Sequence, residues 1–226
     1  QYFDGSGNYL GQWGNVNVFA NPEGICVDSS GTTVYVVNSA LGQITYFTND
    51  GTYLGQWGSS GSGNGAMADP YGVSVDSSGT TVYVSDWGNR LIQYFTPTGG
   101  YLGQWSVPFF PYGIVATYAI AVTGSVDFID VFYAAGSPGA LFGGTGSSNT
   151  TYSQPYDLAT DGSYLYIADS GNNRIMINAW GSYYVGQING SSSGLMFNAP
   201  KGVAVDGNKN VYVADTGNNR IVKFGP

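Results

Sequence analysis

Few side chains in this chain can do chemistry at neutral pH, and their types and spacing limit what that chemistry is. Among 226 residues there is no His, one Cys, and 14 Asp and Glu against 6 Lys and Arg. Without His, the Ser–His and Cys–His pairs that activate a nucleophile cannot be built, nor can any His-containing metal site. Cys26 has no partner for a disulfide within the chain. It stands in GICVD where later segments carry Ser74, Ala159 and Ala204, the pattern of a small buried residue rather than a reactive thiol. Glu23, the only Glu, is a weak candidate for a metal-binding or catalytic carboxylate. Asp127 and Asp130 are paired outside any repeating pattern, but three positions apart on a strand they point to opposite faces and make no acid/base dyad. DGSGN at 4–8 and DGNKN at 206–210 are rich in oxygen ligands, as calcium loops are. Both lack the terminal bidentate Glu of an EF-hand and fall where a hairpin turn is needed, so they read as turns. No metal and no cofactor are expected.

These residues are carried by elements that recur. The line PYGVSVDSSGTTVYVSDWGNRLIQYFTPTGGYLGQW from Pro70 returns from Pro22, from Pro155, and for its first three quarters from Pro200. A period of roughly 45 residues with strand-type alternation is the signature of propeller blades. In each copy GVSVD and TTVYVSD form a hairpin across SSG, IQYF follows a turn, and YLGQW follows TPTGG, which makes four antiparallel strands. A copy from Pro111 keeps PYG and IDVF but lacks the acidic hairpin residue and the GNNR turn; it is counted as a blade. The expected architecture is all-β, a propeller of five four-stranded blades starting near residues 22, 70, 111, 155 and 200, in a single domain spanning 1–226. Residues 1–14 match the tail of a repeat and the copy from Pro200 stops after its third strand. The N-terminal YLGQW is therefore expected to supply the outer strand of the last blade, with residues 1–21 completing it. Tyr2 and Phe3 then claim a third-strand position that residues 221–224 already fill. A terminus left over in this way is a template for pairing with a neighbouring molecule.

Composition narrows the partners. A formal charge of −8 opposes a phosphate backbone, so nucleic acid is excluded. No apolar run reaches the roughly 18 residues of a membrane span. Only 9% of residues are charged, against about 25% in ordinary soluble domains, and Gly, Ser, Thr, Asn and Tyr are abundant. That polar, uncharged surface points to an extracellular or cell-surface protein. The chain begins at Gln1 without a leader, as a processed or excised protein would, and sequons at Asn149 and Asn189 are candidate glycosylation sites.

GVAVDGNKNVYVADTGNNRI at 202–221 resembles the NHL repeat, and ADSGNNRI at 168–175 and SDWGNRLI at 85–92 extend the resemblance over essentially the whole chain. The family's propellers usually have six blades, whereas this chain has material for five. The resemblance implies that its recurring acidic and basic residues are structural: Asp86 with Arg90, Asp169 with Arg174, and Asp215 with Arg220. Their recurrence agrees, since a catalytic set would occur once and a carboxylate spanning a turn can accept backbone and guanidinium hydrogen bonds. The first copy has Asn38 and Gln43 in their place. Peptide-amidating and streptogramin lyases share this fold but depend on His.

The function expected is a non-enzymatic extracellular structural and interaction propeller, self-associating into a filament or surface array through its terminal strands. Its partners would be protein, including itself, or glycans. The alternatives are a glycan- or peptide-binding module on one face, and a calcium-dependent lactonase-like hydrolase around Glu23. Tyr9, Trp13, Tyr53, Trp57, Tyr101 and Trp105 in the YLGQW segments read as packing between blades. Tyr2, Phe3, Phe109, Phe110, Tyr183 and Tyr184 are the candidate interaction surface.

Overall fold

The computed structural model describes residues 1–14, 18–180, 183–191 and 194–226. Tyr2–Phe3 (β1) and Tyr9–Gly11 (β2) make a two-stranded sheet. The first blade holds Pro22–Val27 (β3), Thr33–Asn38 (β4), Gln43–Thr48 (β5) and Tyr53–Ser60 (β6), with Ala66–Met67 (β7) added in parallel to β6. The second holds Pro70–Val75 (β8), Val82–Asp86 (β9), Leu91–Phe95 (β10) and Tyr101–Ser106 (β11). Pro111–Ala116 (β12), Ile120–Gly124 (β13), Val126–Phe132 (β14) and Pro138–Gly143 (β15) form the third. The fourth comprises Pro155–Thr160 (β16), Tyr164–Asp169 (β17), Arg174–Ala179 (β18) and Tyr183–Ile188 (β19). Gly202–Val205 (β20), Val211–Asp215 (β21) and Arg220–Phe224 (β22) are the fifth, with three strands. The molecule is thus an all-β, five-bladed propeller. Among the described residues no helix is long and apolar enough to cross a membrane.

The alternation of the repeat sets the packing. In β9, Val82 and Val84 join a cluster with the first blade, while Tyr83 joins one with the third. The same division holds in β21, whose Val211 and Val213 pack back on the fourth blade. Four apolar clusters of this kind lie between successive blades, and both faces of each inner sheet are apolar for that reason. A smaller fifth cluster of Val34, Val36 and Phe47 lies under Trp13, Val18 and Phe19.

The N-terminal segment does not complete the last blade. Tyr2 pairs with Gly11 and Phe3 with Tyr9, with a bulge between. Tyr46 and Phe47 pair with Gly55 and Tyr53 in that pattern, and Tyr94 and Phe95 with Gly103 and Tyr101. Residues 1–14 are therefore the outer half of a further blade lying before the first one. A short loop favours this local pairing over a contact with β22, some two hundred residues away, because closing a small loop costs less entropy. Asp4 fixes the turn, its carboxylate accepting the N–H groups of Ser6 and Asn8 at 2.8 and 2.9 Å. Residues 15–17, part of the segment expected to finish the last blade, lie outside the described residues.

One junction of the ring differs from the rest. Inner strands β3, β8, β12, β16 and β20 each pack on the next, but β20 and β3 lack packing of that extent. We call the space between the fifth and first blades the open sector.

Candidate functional site

The second residue of each inner strand surrounds one end of the central channel. These are Glu23, Tyr71, Tyr112, Tyr156 and, just before β20, Lys201. The Tyr71 hydroxyl donates to that of Tyr156 at 2.5 Å, the rings of Tyr112 and Tyr156 stack 4.9 Å apart, and Lys201 Nζ sits 4.7 Å from the Tyr156 ring centre. Burial, then the bond to Tyr156, pushes the Tyr71 hydroxyl above its ordinary range, so it stays protonated. Asp157 stands where the other inner strands have Gly24, Gly72, Gly113 and Gly202. Burial raises its pKa to about 6, although its Oδ2 accepts the Val203 N–H at 3.1 Å. Sequence reasoning passed over Asp157; the signal was PYD where the four other copies read P-x-G.

A cavity of about 590 Å³ runs from this channel into the open sector, with Ile25, Tyr212, Thr216 and Ile221 in its wall. The sector is apolar on both sides. Ile25 is 64% exposed, whereas its counterpart Val73 in the second blade is 5% exposed. Ile221 is 68% exposed, whereas Ile44, Ile92 and Ile175 at that position are fully buried. Across the outside of the sector Lys223 Nζ donates to the Gly5 carbonyl at 2.7 Å, tying β22 to the β1–β2 turn.

Away from the channel the acidic residues are clamps. In the fourth blade the Asp169 carboxylate accepts the Ser153 N–H at 2.7 Å and pairs with Arg174 Nε at 2.7 Å, both groups buried. Arg174 carries the grip onward to the carbonyls of Ser147, Ser148 and Thr151. Asp215 does the same with Asn198 and Arg220, whose other donor meets Met196. Each pair fastens its own blade's entry loop to the end of the second strand. Burial opposes ionisation of Asp215, but donors from Asn198, Asn218 and Arg220 hold its carboxyl below the usual range. Residues 197–224 match the NHL repeat.

The propeller as a whole is similar to known proteins in fold alone. It aligns with virginiamycin B lyase from Staphylococcus aureus at 16% identity and a TM-score of 0.61, over 90% of this chain and 69% of that one. With a chain of a nidogen/laminin complex the figures are 17%, 0.67, 90% and 75%. A protein of unknown function from Bacteroides thetaiotaomicron gives 15%, 0.70, 89% and 58%. No curated protein sequence matches the chain.

In the second blade the clamp is built differently from the sequence expectation. Arg90 does not pair with Asp86; its guanidinium lies 4.1 Å from the Phe110 ring centre. The turn is as long as in the other two blades, but Arg90 stands at the left-handed position (φ 54) of Asn173 and Asn219, and Leu91 stands opposite Asp86 where those blades have Arg174 and Arg220. Gln93 and Asn89 bind Asp86 instead, at 2.9 and 2.8 Å, and Gln93 holds Ala66 of the entry loop. With no cation beside it, burial raises the Asp86 pKa. Asn38 serves the first blade with its amide, accepting the Ala20 N–H and donating to Val18.

Phe109 is not surface: it is 3% exposed and packs edge-on to Phe128. It fills the space beside Gly124, where the third blade has no clamp acid. Phe110 is half-buried, stacked on Trp87. Tyr2, Phe3 and Tyr183 are exposed, and Tyr184 packs against the junction of the third and fourth blades. Trp13, Trp57 and Trp105 each pack on the following blade, against Phe47, Phe95 and Phe132. Asn149 is exposed and Asn189 half-buried. Burial pushes the Cys26 thiol up to about 12, which keeps it protonated and unreactive. Asp127 accepts from Thr145 and Gln154, and Asp130 is raised by burial; neither bonds the other. Asp206 accepts the N–H groups of Asn208 and Asn210 as a turn does. Glu23 accepts from Asn21, and no group of three His, Cys, Asp or Glu gathers among the described residues.

Proposed function

We propose that this propeller is a non-enzymatic, extracellular structural and interaction protein, associating with other protein, its own copies first, through the open sector. The exposure of Ile25 and Ile221 carries this reading, because those positions are buried at every complete junction. Apolar surface held in a packing geometry without a partner favours association. The free face of the fifth blade and that of the first are different surfaces, so copies joining through them add head to tail and propagate. The low charge and the exposed Asn149 sequon support the extracellular placement. Light scattering against concentration, followed by electron microscopy, tests the reading. Growth into filaments or arrays is expected, and Ile25→Asp or Ile221→Asp should abolish it. Monodisperse monomers of the parent chain at all concentrations would overturn it.

A further inference from the structure

Three residues that depart from the repeat meet at one place, the junction of the second and third blades. They lie at the end of the ring that carries the entry loops and the turns between second and third strands. Trp87 stands where the first, fourth and fifth blades have Ser39, Ser170 and Thr216. Arg90 stands where those blades have Gly42, Asn173 and Asn219, in a left-handed conformation that arginine rarely adopts. Phe110, just before the third inner strand, stands where the other blades have Asn21, Asp69, Gln154 and Ala199. None of the three serves the clamp, which Gln93 and Asn89 hold.

Together they prepare a cation. The rings of Trp87 and Phe110 stack 4.7 Å apart, and the Arg90 guanidinium lies 4.1 Å from the Phe110 ring centre. Stacking holds the planar group in place and leaves its forked N–H edge to meet a carboxylate. The ion pairs among the described residues are Arg174 with Asp169, Lys209 with Asp161 and Arg220 with Asp215, so the exposed Arg90 has no acid of its own. Asp69 is its complement on the same surface. It is exposed, left-handed (φ 54) and likewise outside those ion pairs. The Gly88 N–H donates to the Ala68 carbonyl at 2.6 Å, so the loop bearing Asp69 adjoins the turn bearing Trp87 and Arg90. The two do not pair within the chain, because stacking on Phe110 turns Arg90 toward the third blade.

The opposite end of the ring is acidic. Its turns carry Asp28, Asp50, Asp76, Asp161 and Asp206, each accepting backbone N–H groups of its own turn. The cations there are Lys209, paired with Asp161, and Lys223, which donates to Gly5. With 14 acidic residues against 6 basic ones, two copies repel over most of their surface. A contact of the acidic end with its own copy would set like charge against like. The end with Arg90 and Asp69 carries both signs.

We infer that this surface is a second self-association site, at which two copies meet face to face about a two-fold axis with Arg90 of each opposite Asp69 of the other. A two-fold contact needs a patch that holds both halves of its own pairing, and this one does. Trp87 and Phe110 add aromatic area beside each Arg, and aromatic residues with Arg are the types that anchor protein contacts. In such a pair the acidic ends point away from each other. The contact closes on itself and stops at a dimer, whereas head-to-tail packing through the open sector propagates. The site lies between the second and third blades, so it is complete whatever meets the open sector between the fifth and first.

The test uses the full chain carrying Ile25→Asp, which removes growth through the open sector. Sedimentation equilibrium should show monomers and dimers with a Kd in the range of about 1–100 µM. Arg90→Glu or Asp69→Arg, each added alone at an exposed position, sets like charges opposite each other and should weaken the dimer about tenfold or more. Mixing the two variants in equal amounts should restore it, since both contacts then join a guanidinium to a carboxylate. Loss of folding in either variant cannot produce that rescue. A chain that stays monomeric at every concentration overturns the inference and leaves Arg90 to a carboxylate on a different partner. Dimers indifferent to both charge reversals, or variants that mixing does not rescue, overturn it as well. Filaments of the parent chain beside a monomeric Ile25→Asp chain leave the proposed function standing without this contact. A parent chain that stops at dimers removes the proposed function and leaves the contact.

Discussion

Val73 and Ile25 occupy the same place in successive repeats, yet one is in the core and the other faces the open sector. The repeat specifies a strand with an apolar face, but burial comes only from the neighbour that the face meets. The largest expected contrast is therefore between two identical changes. Val73→Asp puts an unpaired carboxylate into the junction of the first and second blades and should unfold the chain, costing roughly 4 kcal/mol or more. Ile25→Asp should change stability by less than about 0.5 kcal/mol. Urea titrations of both variants measure this, and equal losses would mean that the sector is closed in solution.

The clamps extend the comparison to charge. Arg174 is almost wholly buried, while its counterpart Arg220 beside the sector has a third of its side chain exposed. Asp169→Ala should cost about 3–5 kcal/mol by stranding a buried guanidinium. In Asp215→Ala water can reach Arg220, and the loss should be nearer 1–2 kcal/mol. Thermal melts rank the two; a larger effect for Asp215 would reverse the comparison.

The smallest effect concerns pH. The Asp157 pKa, raised from 3.8 to about 6, means that the folded protein holds a proton which the unfolded chain releases. That contribution to stability is complete below the unfolded value and is lost as pH rises through about 6. Asp157→Asn should flatten the stability profile between about pH 4 and 6, which melts across that range will show.

Blade number and strand order were legible because Val-Tyr-Val alternation and Gly-bearing turns recur with one period. The clamp was legible as a pattern but misassigned in the second blade, where the Arg stands one position earlier in a turn of equal length, so that Arg90 takes the left-handed place, Leu91 faces Asp86, and Gln93 takes over the task. Closure was not legible, because residues 9–13 spell an outer strand whichever third strand they join. Only the register of Tyr2 and Phe3 shows which. Phe109 lies off the repeat and looked exposed, since nothing in its neighbours reveals that it replaces the clamp beside Gly124. Asp157 was hidden by its resemblance to the other Asp residues, although it occupies a glycine position.

A closed ring of blades has no ends, so no blade can unfold without losing two neighbours. Here the first and fifth blades each rest on one complete junction, which gives the molecule the thermodynamics of a short stack rather than a hoop. In such a stack stability is a sum of local terms and nearest-neighbour couplings, and melting runs inward from the ends. The second to fourth blades thereby become the most protected part of the chain, the degenerate third blade among them.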